Sequence, residues 1–293
     1  MTKLPKGKGM SIWILSRLIA AYSSIDAVAD RLMEMGVTWI MIKISDGTGK
    51  YNLRPVYLPG TLYRIGWADD ILKPFIVACQ RRGIEAHGYQ YTYANNPQLE
   101  AEAGAKRYVE VGADGFVINA EKEYKEFPGA ARTYTETLLV RLPENTPVGM
   151  SSYRFPSLHL RFPFKDFMVS GIYWMPQIYW MGRTNPREQL IQSNDELRTI
   201  SDVPVIPIGW AFQELGYGPP PASEMDEFHD AVLELDMPAE TWWRMDTARR
   251  QKLMETITAH KWDDEIEPPV EPPELPQDEI ELQSGQSITV RAK

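Results

Sequence analysis

A chain of 293 residues, 43% of them hydrophobic, can fill one large core, and a barrel of roughly 250 residues folds as a single domain. A formal charge of −9 and an isoelectric point near 5.1 exclude the basic face that a nucleic-acid partner needs. No run of about 18 apolar residues occurs, and the lysine-bearing start Met1–Met10 is not followed by the long apolar stretch of a secretory leader. The expectation is therefore cytoplasmic synthesis, with no membrane partner.

Short apolar runs and amphipathic segments alternate eight times. Met10–Leu15 reads as a strand and Ile25–Met35 as a helix; Thr38–Ser45 is followed by Asp70–Arg82, and Ile84–Tyr91 by Pro97–Val111. Gly115–Glu121 precedes Ala130–Arg141, Pro147–Ser152 precedes the short Phe164–Val169, and Ile172–Tyr179 precedes Pro186–Ile200. Val205–Trp210 with Ser223–Leu235, then Thr241–Met245 with Ala248–His260, complete the series. Strands separated by helices of this length give βα units and a parallel sheet, and eight in succession predict closure into a (β/α)8 TIM barrel over residues 1–262. Gly83 and Gly112 each fall between a helix and the next strand, where a left-handed C-terminal cap suits glycine. Pro97 and Pro186 open helices, where a missing N–H costs little.

The composition changes after Trp262. Residues 263–278 set five prolines among acids, which predicts an extended linker. Glu279–Arg291 alternates as a short β-like segment that would add to the sheet edge of a protein partner. The acidic, proline-rich 263–293 thus reads as lying outside the barrel, either as a disordered tail or as a docking peptide for a protein partner. The single Cys79 lies in an apolar helical stretch and reads as buried filler, and four scattered histidines show no metal-ligand spacing, so neither metal nor cofactor is expected.

In a parallel barrel the chemistry sits at the C-terminal ends of the strands. Alternation along Asp114–Glu121 turns Phe116, Ile118 and Ala120 to the helices and Val117, Asn119 and Glu121 to the interior. Glu121 thus reaches the mouth pointing inward, one pleat above an amide. A carboxyl shielded by aromatics has a raised pKa and can protonate a glycosidic oxygen. The competing role for Glu121 is an ion pair with Lys43, which also points inward. Nine tryptophans and fourteen tyrosines are many for this length. Tyr89, Tyr91, Tyr173, Tyr179, Trp210 and Trp243 fall toward strand ends, where rings either fill a core or stack on sugars. Gln177 faces inward as a donor to a substrate hydroxyl or acetamido group.

The segment ADGFVINAE (Ala113–Glu121) resembles the fourth-strand signature D-G-x-D-x-D-x-E of family 18 chitinases: Asp114, Gly115, Phe116 and Glu121 match, whereas Val117 and Asn119 stand at acidic positions. WIMIKISDGT (Trp39–Thr48) is similar to the second strand V-I-I-K-A-T-E-G-T of family 25 lysozymes, with Lys43, Asp46, Gly47 and Thr48 in matching places. Gly88–Tyr91 resembles that family's G-A-Y-H-F, and Met175–Tyr179 its A-Q-Y; together the motifs span roughly residues 9–247. The resemblance implies a retaining glycosidase acting on an N-acetylated glycan such as peptidoglycan. The substrate acetamido group would be the nucleophile, and Glu121 the general acid and base. The lack of an export signal fits a phage lysin or virion component released by lysis, and equally a cytoplasmic protein. Two family carboxylates are missing: strand one has no aspartate and Asn119 replaces another, leaving Asp46, Glu123 and Asp246 as candidate substitutes. Loss of both carboxylates is also what the alternative class would show, a catalytically degenerate barrel that grips a glycan or serves as a structural component.

Overall fold

The computed structural model describes residues 3–57, 64–169, 171–214 and 216–262. Eight parallel strands close on themselves: β1 (Gly7–Ile12), β2 (Trp39–Asp46), β3 (Glu85–Thr92), β4 (Gly115–Ala120), β5 (Val148–Tyr153), β6 (Ile172–Ile178), β7 (Ile208–Trp210) and β8 (Ala239–Trp243). Each pairs with its sequence neighbour, and β1 pairs with both β2 and β8, so no sheet edge is left open in the ring. The predicted (β/α)8 barrel is the fold observed. The proposed linker and docking segment, 263–293, lie outside the described residues. No helix among the described residues is long and apolar enough to cross a membrane.

Alternation builds two apolar layers. Inside the ring Trp39, Met41, Tyr89, Val117, Tyr173, Met175, Ile206 and Ile208 pack together, while Met10, Ile40, Phe116, Trp174 and Trp242 join the larger layer beneath the helices. Cys79 belongs to this outer layer, and burial pushes its thiol up to about 12, so it is inert filler. Gly83 and Gly112 adopt φ of 73° and 70°, as their positions after helices require.

Several boundaries differ from the sequence reading. β1 begins at Gly7 rather than Met10, because its residues GKGMSI offer little apolar pattern. Gly9 is nonetheless demanded by packing: a Cβ there would lie 2.4 Å from Cε2 of Trp39 and 2.6 Å from the Glu240 carbonyl oxygen. Leu15, expected to end that strand, instead opens the helix Leu15–Tyr22, which lacks a side-chain cap as a sequence signal. β8 starts two residues earlier than expected, and the last helix divides into Met245–Arg250 and Met254–Ala259 around Lys252, whose φ is +60°. Between β2 and the helix Leu72–Gln80 the chain makes an antiparallel pair, Leu53–Tyr57 with Arg64–Asp70, that the alternating βα pattern does not announce.

At the opposite end from the mouth, β8 and two helical segments enclose a polar cluster. His229 Nδ1 lies 3.0 Å from Glu240 Oε1 and its Nε2 is 2.9 Å from the Lys261 carbonyl; His260 Nε2 lies 3.0 Å from Asp226. The fold thus joins histidines that sequence spacing left scattered, with ligand-type atoms of His229, Glu240 and His260 within 4.8 Å of one another. Their rings, however, stack at 4.5 Å with only 8° between planes. In-plane lone pairs of parallel rings do not meet at one ion, so the cluster is a hydrogen-bonded strap that fastens the end of the barrel domain. Burial opposes the His229 imidazolium, but the hydrogen bond and charge of Glu240, aided by the Lys261 carbonyl, hold its pKa above the ordinary value. The strap's contribution is complete below about pH 6.5 and is lost as pH rises through the raised folded value. His229→Gln is therefore expected to lower the melting temperature at pH 6, with the deficit shrinking by pH 9. The wild-type comparison separates this from nearby Lys8, whose ammonium burial pushes down to about 8. A deficit that stays constant with pH would contradict the charged pair.

Candidate active site at the barrel mouth

β4 ends at Ala120, and the next residue, Glu121, enters a cavity of about 470 Å³ at the C-terminal ends of the strands. Neighbouring strands supply the rest of its floor by register: Asn119 on β4 pairs with Ser151 on β5, and Tyr153 with Gln177 on β6. Trp13, Met41, Tyr179, Trp243 and Arg244 complete the walls with Met181, Phe212, Gln213, Glu214 and Thr247. A groove of similar size between Pro156 and Ile200 is mostly apolar, with Glu196 its only carboxylate. Glu196 is already engaged there by Ser157 and Gln192.

Glu121 is held rather than loose. Gln177 Nε2 lies 3.3 Å from Glu121 Oε1, 3.4 Å from Asn119 Oδ1 and 3.3 Å from Ser151 Oγ. With two N–H bonds, that amide serves at most two of these acceptors well at once. Burial pushes the Glu121 pKa up, and the nearby Glu123 charge adds to the rise. Gln177, Asn119 and Lys122 pull the other way without cancelling it. The competing role, an ion pair with Lys43, is not the one observed. Lys43 Nζ instead binds Asp46 at 3.1 Å and sits 4.4 Å from the centre of the Tyr51 ring. A shielded carboxyl free of a cationic partner is what proton donation requires.

Of the other predicted site residues, Asn119, Gln177, Tyr179 and Trp243 line this cavity. Lys43, Asp46, Tyr91 and Glu123 form an adjoining network: the Tyr93 hydroxyl donates to Asp46 (2.8 Å) and Tyr91 to Glu123 (3.0 Å). Glu123 lies beyond the end of β4. It opens the single helical turn Glu123–Glu126, because the strand has already ended. Tyr89 is buried inside the ring against the edge of Trp243, and Trp210 packs under helices against Trp180 and Phe212. Asp246 stands behind the cavity wall, 3.0 Å from Arg244 Nε.

Sequence reasoning missed Trp13, Ser151 and Arg244. Ser151 was findable, since pairing β5 with β4 in register sets it beside Asn119. Trp13 and Arg244 lie just beyond β1 and β8, the two strands whose ends the apolar pattern misplaces. The Trp243–Arg244 peptide is cis.

Compared by sequence, the chain matches no protein-family model and no curated protein. Its fold, by contrast, is shared with solved structures. A GH18 chitinase from Pseudoalteromonas aurantia superposes with a TM-score of 0.60 at 10% identity, over 87% of this chain and 100% of that one. The endo-1,4-beta-mannanase from Rhizomucor miehei gives 0.58 at 11% identity, over 83% and 87%. The spore cortex-lytic enzyme SleL of Bacillus cereus gives 0.55 at 9% identity, over 88% and 75%. These likenesses show the TIM-barrel fold. At such identities they speak for the fold alone.

Proposed function

We propose that the mouth cavity cleaves a glycosidic bond in an N-acetylated glycan, with Glu121 as general acid and then general base. The observation that carries this reading is Glu121 itself: a carboxyl with its pKa raised by burial, on a cavity wall, without a cation bound to it. Glu121 protonates the leaving oxygen as the substrate's acetamido oxygen attacks the anomeric carbon and the glycosidic bond breaks. Glu121, now a carboxylate, takes a proton from water; the water oxygen bonds to the anomeric carbon and the acetamido group leaves, with net retention. Asn119, Gln177 and the Tyr179 hydroxyl surround the acid and orient the acetamido group; Trp13 and Trp243 offer apolar faces to the sugar. The resemblance to family 25 lysozymes and family 18 chitinases favours peptidoglycan or chitin-like chains, and the structural neighbours include a chitinase and a cortex-lytic enzyme.

The neutral Asn119 keeps a second reading in play, a barrel that binds glycan without cutting it. Incubation with chitooligosaccharides and with peptidoglycan separates the two. Release of reducing ends by the wild type supports the hydrolase; saturable binding with intact ligand after days supports the binding barrel.

A further inference from the structure

We infer that the end of the cavity walled by the tips of β1 and β8 recognises a carboxylate carried on the glycan, which deepens the reading above and rests on it. Three guanidinium groups surround one buried carboxylate there. Arg244 Nε lies 3.0 Å from Asp246 Oδ1, while Arg17 Nη1 and Arg250 Nη2 lie 3.6 and 3.9 Å from Asp246 Oδ2. Three positive charges against one negative leave this cluster two positive charges in surplus. The contacts are Coulombic rather than aligned: neither Asp246 oxygen nor Arg244 Nε makes a hydrogen bond among the described residues. One carboxylate therefore does not saturate the donors around it.

Arg244 is the member that faces the ligand space, because it lines the same cavity as Glu121. Its guanidinium carbon sits 4.1 Å from the centre of the Trp13 ring, so the flat face is covered and the group is held in place. Its side chain is only 14% exposed, and burial together with the charges of Arg17 and Arg250 makes its own charge costly, a strain that a bound anion would relieve. Glu121, Tyr179 and Arg244 line one cavity, which sets the cationic end and the acid in one site. A guanidinium edge matches a planar monoanion through paired N–H bonds. A dianionic phosphate would meet more repulsion from Glu121 in the same wall. The chemistry recognised is thus a carboxylate, whether on the sugar ring as a uronic acid or on an ether-linked side chain.

The test is calorimetric titration of the full chain carrying Glu121→Gln, so that ligands survive. The probes are neutral chitotetraose, tetragalacturonate, and a peptidoglycan-derived tetrasaccharide with free ether-linked carboxyls. One of the acidic ligands is expected to bind about tenfold or more tightly than chitotetraose, which identifies the source of the carboxylate. Adding Arg244→Gln should shrink that acidic-to-neutral ratio by about 10- to 100-fold. The pair Arg17→Gln and Arg250→Gln, whose side chains are each 56% exposed, should shrink it by roughly two- to fivefold. A ratio near one for both acids, or a ratio unmoved by these changes, overturns the inference. If the ratio persists but wild type cuts none of the three ligands, the hydrolase reading falls and the carboxylate site stands. If wild type cuts chitotetraose and the peptidoglycan-derived tetrasaccharide alike with a ratio of one, the reverse holds, and absence of both binding and cutting removes both.

Discussion

Glu121→Gln is expected to lower glycan hydrolysis by about 10²- to 10⁴-fold, the range for loss of a general acid, while glycan affinity changes by only about threefold or less. The amide keeps the size of the carboxyl and its place beside Gln177 but has no proton to give. The same substitution should stabilise the fold at neutral pH. Because burial raises the pKa of Glu121 in the folded chain, the folded state prefers the protonated acid. That preference contributes stability below the unfolded value, about 4.3, and is lost as pH rises through the folded value. At pH 7 the buried charge is a cost that glutamine removes, so the variant should melt at a higher temperature than the wild type. At pH 4 the gain should vanish. Paired thermal melts at the two pH values check the sign, and an unchanged rate of glycan cleavage would take Glu121 out of the mechanism.

Gly9→Ala is expected to be the most damaging small substitution in the barrel. β1 meets β8 and β2 at the seam that closes the ring, with Gly9 opposite Thr241 and Trp39. An added methyl carbon would collide with the Trp39 ring and with the Glu240 carbonyl oxygen at 2.6 Å, and a main-chain atom in a strand cannot swing aside. Overpacking of this kind costs about 3 kcal/mol, or roughly 6–12 °C in melting temperature for a chain of this size. Denaturant unfolding of the variant measures it directly. A loss under about 0.5 kcal/mol, the range of a neutral surface change, would mean that the strands are not so closely apposed.

Much of the barrel was legible because strand and helix periods differ and eight repeats of the pair leave few other closures. Alternation alone turns Val117, Asn119 and Glu121 inward, and the structure agrees: Val117 is in the inner core, while Asn119 and Glu121 line the cavity. Strands with weak apolar patterns were not legible in the same way. GKGMSI in β1 hides its strand character because Lys8 reaches out to the carbonyls of Met35 and Thr258, and Gly9 is set by a neighbour's bulk rather than by propensity. The hidden ends of β1 and β8 conceal Trp13 and Arg244, which stand just beyond them. Aromatic residues at strand ends are equally ambiguous. Trp243 and Tyr179 reach the cavity while Trp210, with the same sequence credentials, turns to the helical layer. Only tertiary packing decides between those fates. Carboxylate partners likewise depend on loops: Asp46 folds back on Lys43, and Glu123 leaves the strand for a helical turn.

The measurement that bears most directly on Glu121 as acid and base is the stereochemistry of the product. Wild-type protein, incubated with a β-linked chitooligosaccharide or peptidoglycan fragment in ¹⁸O-water and followed by proton NMR and mass spectrometry, should release the β-anomer first, with the heavy oxygen on its anomeric carbon. Release of the α-anomer first, or substrate left whole after days at saturating protein, would contradict it.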